Sequence, residues 1–200
     1  MEHVNNLGGA PLGGGEADQA AAARWVDRIV AWDGNLFLAA NADPTAAGVL
    51  GRLSAFKRKF AEARAAEHPE LADTYATKIQ SMAAADASAG DAPAVAANEA
   101  TLVSLLDDAE AALAAGGPWL AGAYSVADVA FTPLLFRLGM AGKTSDYLKP
   151  RPGVSRYYDA AKERPSFAQA FGPAGSKLTL ASSLLPALLK AQLAAWTGRY

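Results

Sequence analysis

The chain has 200 residues, a formal net charge of −2 and 52% apolar residues, enough to bury a sizeable core as one domain and too apolar to be disordered over most of its length. It has no cysteine and only two histidines, His3 and His68, which excludes disulfides, cysteine nucleophiles and thiolate or histidine-rich metal sites. The charge is uneven: residues 1–142 carry 9 basic and 17 acidic side chains and residues 143–200 carry 9 and 3, so an acidic partner or anionic surface suits only the C-terminal end, while nucleic-acid motifs are missing.

The first residues lack the basic-then-apolar pattern of a secretion signal, so an intracellular location, cytoplasmic or organellar, is expected. Residues 1–15, rich in glycine after Leu7, read as a flexible segment. Glu16 to about Ala40 reads as one long helix, with Trp25, Ile29, Trp32 and Phe37 on its apolar stripe. Asp43-Pro44 breaks it and starts a second helix to Glu67, packed through Val49, Leu50, Leu53, Phe56 and Phe60. Pro69 restarts the chain into a helix through about Met82, and residues 83–93 read as a flexible crossing. Residues 94–115 return to helix, which Gly116-Gly117-Pro118 ends.

Ser125-x-x-Asp128 follows. The Ser125 hydroxyl can cap the third helical N–H while the Asp128 carboxylate reaches back to the Ser125 N–H, and Tyr124 and Val129 are spaced as a hydrophobic staple around the cap. The helix that starts here, 126–140, is apolar on nearly all sides and must be central. Two short helices, 154–163 and 166–171, complete the main domain, taken as residues 16–173. No alternation of period two occurs, so the chain is all-α. The tail, 174–200, carries a stripe of Leu184, Leu185, Leu188, Leu189, Leu193 and Trp196, a candidate contact for a partner or a membrane surface, with packing on protein preferred because Lys190 alone charges its polar face.

The order Trp119-Leu120-x-Gly122, Ser125-x-Ala127-Asp128, Arg151-Pro152, Tyr157-Tyr158 and Arg164-Pro165-Ser166-Phe167 resembles the C-terminal helical domain of the glutathione transferase superfamily. His68 to Tyr75 and the apolar tail are similar to the branch of ganglioside-induced differentiation-associated and tetrachlorohydroquinone-dehalogenase-like transferases. The resemblance spans residues 17–173 and implies a glutathione-transferase C-terminal-like helical bundle. It also implies that glutathione would be held by a thioredoxin-like domain, for which no room precedes the first helix, and that Trp25, Arg28, Trp32 and Asn35 would face an electrophile pocket only beside such a domain. The adjacent Asp107 and Asp108 point to different sides of a helix, and no serine has a histidine near it to act as base. The chain itself therefore reads as having no catalytic residue, no metal and no cofactor. The expectation is a non-catalytic docking or structural subunit of a larger assembly. The alternatives are a glutathione transferase whose thioredoxin-like domain is missing or on another chain, and a peripheral membrane adaptor using residues 178–197.

Overall fold

The structure is a computed structural model that describes residues 12, 15–172, 186, 189–190, 192–193 and 197. In chain order the helices are α1 (Glu16–Ala31), α2 (Gly34–Ala40), α3 (Pro44–Glu67), a 3-10 turn (Pro69–Leu71), α4 (Ala72–Ala89), α5 (Ala92–Gly116), α6 (Val126–Met140), α7 (Thr144–Leu148), α8 (Pro152–Lys162) and α9 (Pro165–Phe171). Among the described residues the chain is all-α; strand pairing is confined to an isolated bridge between Ala121 and Ala123. No helix among them is long and apolar enough to cross a membrane. The expected flexible segment 1–15 lies outside the described residues except for Leu12 and Gly15.

The chain forms two compact units. The first comprises Met1–Gly34 and Ala97–Ala168. Its core is built on α5 and α6: Leu102, Leu105, Leu106 and Ala109 meet solvent hardly at all, and neither do Phe131, Leu134, Leu135 and Leu138. Helix α1 packs against α6 through a stripe that buries Ala22, Ile29 and Trp32, and α8 packs on α6 with Val154, Tyr157 and Ala161 buried. Each fully buried leucine or phenylalanine contributes roughly 1.5–3 kcal/mol, so these two helices hold the unit together. The second unit comprises Asn35–Ala96 and Gln169–Tyr200. There α3 and α4 pack on each other across the 3-10 turn, and Asp86 of α4 accepts from Ser54 of α3 at 2.8 and 2.9 Å and faces Arg58 at 3.6 Å. Ala61 is the one residue of α3 that is buried, and α4 buries none.

Three local outcomes differ from the sequence expectations. The first long helix is divided at Trp32–Asp33, where the Asp33 N–H donates to the Asn98 side chain at 3.0 Å and Asn98 returns a bond to the Asp33 carbonyl at 2.9 Å. Gly34 then lies so close to Arg137 that a Cβ would meet its Cδ at 2.6 Å, which explains glycine there. The supposed flexible crossing is helix instead: α4 runs on through Ala83–Ala85 to Ala89, as the high helix propensity of alanine favours, and α5 resumes at Ala92. A five-residue helix, α7, had no expectation attached to it.

The start of α8 shows how the first unit is tied together. No side chain of α8 itself caps it; the Glu110 carboxylate of α5 does, accepting from the N–H groups of Gly153 and Val154 at 2.8 Å each. A Cβ on residue 153 would meet the Glu110 carboxylate at 2.8 Å. Gly153→Ala should therefore expel that carboxylate and destabilise the protein by about 1–2 kcal/mol, the worth of a lost cap. Equilibrium denaturation checks this; a variant as stable as the parent would show that Glu110 is not holding α8.

Candidate functional site

The sequence singles out the approach to α6, and the first unit assembles its chemistry there. Ser125 is extended, as an N-cap must be, and is fully buried with Asp128. The Asp128 carboxylate accepts from the Ser125 N–H at 2.8 Å, the Ser125 hydroxyl at 3.1 Å and the Leu120 N–H at 3.2 Å. The Ser125 hydroxyl in turn accepts from the Ala127 N–H at 3.3 Å, closing the reciprocal box. These contacts commit the hydroxyl to the cap and leave it unsuited to act as a nucleophile. Burial pushes the Asp128 carboxyl above its ordinary value, against the pull of the hydrogen bonds from Leu120, Ser125 and Tyr157. Ser125→Ala removes the cap and should lower stability by about 1 kcal/mol in the same denaturation measurement; an unchanged midpoint would separate the box from the stability of α6.

The staple takes another form. Val129 is 43% exposed, while Tyr124 turns to Trp119, edge to face at 4.9 Å, and lies beneath the Arg164 guanidinium at 3.6 Å. An aromatic ring gains more from a ring edge and a cation than from one valine on an open face. Trp119 also meets Tyr157 at 5.6 Å, and Tyr157 meets Phe131 at 5.5 Å, so the box is walled by aromatic rings. The Tyr157 hydroxyl donates to the Asp128 carbonyl at 3.4 Å, and burial together with the Asp128 charge holds its pKa above the usual range. Arg151, the first residue of the Arg-Pro pair, is buried and grips Asp107 through Nε and Nη2 at 2.7 Å each while Nη1 donates to the Tyr147 carbonyl. Asp107 therefore faces Arg151, whereas Asp108 pairs with Arg28 of α1.

The residues expected to face an electrophile pocket have distinct settings. Trp32 is buried, Trp25 is half-buried under the Arg28 guanidinium at 5.2 Å, and Asn35 is exposed at the start of α2. In the tail, Leu189 and Leu193 are 58% and 61% exposed, while Leu184, Leu185, Leu188 and Trp196 lie outside the described residues. One feature of α6 departs from its expected enclosure. Val129, Pro133, Phe136 and Met140 share one side of the helix, and Val129 and Met140, at its two ends, stay 43% and 48% exposed. On α1, Val30 is 72% exposed. Arg164 is the contributor that sequence reasoning missed: it lies 40 positions beyond Tyr124, and nothing in local spacing joins them.

Residues 92–160 match the family described as "Glutathione S-transferase, C-terminal domain". The chain carries the all-helical C-terminal domain of the glutathione transferase superfamily. It is 30% identical over 149 residues to "Glutathione S-transferase TCHQD" of Arabidopsis thaliana, which covers 74% of this chain and 54% of that protein. It is also 36% identical over 112 residues to "Tetrachloro-P-hydroquinone reductive dehalogenase" of Sphingobium chlorophenolicum, covering 56% of this chain and 44% of that one. The chain thus spans about half the length of the curated relatives it matches. No solved structure matches it significantly. These relatives overturn the expectation of a non-catalytic docking or structural subunit, because both are named as enzymes, a transferase and a reductive dehalogenase.

Proposed function

We propose that this chain is the helical part of a glutathione transferase that conjugates glutathione to electrophiles, with glutathione held by a thioredoxin-like domain outside these 200 residues. The similarity to a protein named as a glutathione S-transferase, over three-quarters of the chain, carries the reading. The described residues do not fit glutathione by themselves. An extended peptide is held through its backbone by a strand edge, and among them there is no strand. Of the two cations on α1, Arg24 and Arg28, the second is engaged by Asp108, and no cysteine is present in the chain to offer a thiolate. The helical residues instead supply a wall. Trp25 on α1, half-buried, provides aromatic surface of the kind that lines small-molecule sites, whereas Trp32, just past the end of that helix, is spent in the core. The exposed Val129 and Met140, on one side of α6, provide apolar surface on which a second domain can close.

The dehalogenase relative does not extend to this reading, because thiol-based reduction would need a cysteine from elsewhere. Retention on immobilised glutathione tests the division of labour. The protein taken from its own source should be retained and released by free glutathione, whereas the 200-residue chain alone should flow through. Retention of the isolated chain would place a glutathione site within it and refute the division; failure of both to bind would count against the transferase reading.

A further inference from the structure

Arg164 is an arginine whose plane is fixed and whose charge is uncompensated. Its guanidinium carbon lies 3.6 Å from the centre of the Tyr124 ring and 5.5 Å from that of Trp119, so aromatic faces take the place of water on its flat side. Two of the five other arginines of the first unit sit opposite carboxylates, Arg28 facing Asp108 and Arg151 facing Asp107. Arg164 enters no ion pair and no side-chain hydrogen bond among the described residues, and its Nε is buried without an acceptor. That Nε is closed to solvent, so a ligand meets the terminal Nη groups, where a guanidinium pairs best with a planar or tetrahedral oxyanion that takes two N–H groups at once. The surroundings favour such a ligand. Residues 143–172 carry six basic and three acidic side chains, and Asp146 and Asp159 are already paired with Lys143 and Lys162. The Tyr124 hydroxyl, on the ring under Arg164, makes no hydrogen bond among the described residues and leaves a further donor on that ring.

We infer that Arg164, held by Tyr124 and Trp119, is an oxyanion-binding site on the first unit that takes a carboxylate or phosphate group. The inference does not depend on the transferase reading. The aromatic rings pre-organise the fork, so little side-chain freedom is lost when the anion arrives, and the anion gains two charge-assisted bonds in one plane.

The test follows the Arg164 Nε–H resonance by NMR as inorganic phosphate or succinate is added to the protein. A saturable shift is expected, and the anion that saturates at lower concentration separates phosphate from carboxylate chemistry. Arg164→Lys keeps the charge but not the fork and should weaken binding about tenfold, read from the Tyr124 and Trp119 ring resonances. Arg164→Gln should abolish it. Circular dichroism of both variants guards against unfolding, and Tyr124→Phe, which keeps the ring, should weaken binding while leaving the fold intact. No saturable shift with either anion, or equal binding by Arg164→Gln, overturns the inference.

Discussion

Asp128→Ala should destabilise the protein by roughly 3–4 kcal/mol, well beyond the cost of an ordinary cap. The carboxylate is buried and takes three hydrogen bonds, two of them from the backbone N–H groups of Ser125 and Leu120. Alanine leaves those donors buried without partners, at about 1–3 kcal/mol each. It also cuts the connection between the 117–125 segment and α6, because the carboxylate is what joins Leu120 to the helix. Chemical denaturation followed by circular dichroism measures the loss; a change under about 1 kcal/mol would mean that α6 starts without the box. The pH dependence carries the opposite sign from that of a surface carboxylate. Burial raises the folded-state pKa of Asp128 above its ordinary value, so protonation favours the folded state. Its contribution is fullest below the unfolded value and is lost as pH rises through the raised folded value. Asp128→Asn does not titrate. As pH rises from below the ordinary carboxylate range through the raised folded value, the wild type should therefore lose stability relative to Asp128→Asn. A gap that moves in the wild type's favour as pH rises would show that the hydrogen bonds, not burial, dominate.

The second large effect is in the apolar core of the same helix. Phe131 is fully buried and packs against Tyr157 at 5.5 Å, one turn below the box. Phe131→Ala should cost about 3–5 kcal/mol through lost transfer energy and the cavity left behind. Phe131→Leu, which fills most of that space, should cost much less. Equal losses for the two would mean that the site collapses around any smaller side chain and that the aromatic wall is not rigid.

The sequence made these features legible to different degrees, for physical reasons. Ser125 and Asp128 stand three apart, and an N-cap box is a local arrangement that spacing alone can reveal. The apolar run 126–140 marks a buried helix for the same reason, although Val129 and Met140 show that one side remains uncovered. Proline marked the start of α3 because it suits the first helical position, whereas α8 begins at Pro152, two residues before the expected Val154. Contacts between distant positions left no such trace. Glu110 capping α8, Arg164 over Tyr124 and Gly34 against Arg137 each join residues tens of positions apart. The alanine-rich stretch 83–89 misled because small residues read as a linker when side chains are counted and as helix when backbone propensity is. Function was the least legible. The want of a catalytic set within the chain suggested a non-catalytic subunit, but a helical domain that supplies one wall of a shared site has no catalytic set to display. The named relatives, both enzymes, reverse that inference.

The division of labour also locates what substitutions on the helical part should do. Val129 and Met140 lie on one side of α6 and carry exposed apolar surface, so an aspartate at each leaves the core untouched while spoiling the face for a second domain. The most direct measurement is glutathione-dependent conversion of a chloronitrobenzene electrophile by the protein as produced in its own source, compared with a Val129→Asp, Met140→Asp double variant of equal helix content. The account predicts turnover above the uncatalysed rate in the first and little or none in the second. A native protein that shows no glutathione-dependent turnover, or a double variant that retains full activity, would contradict it.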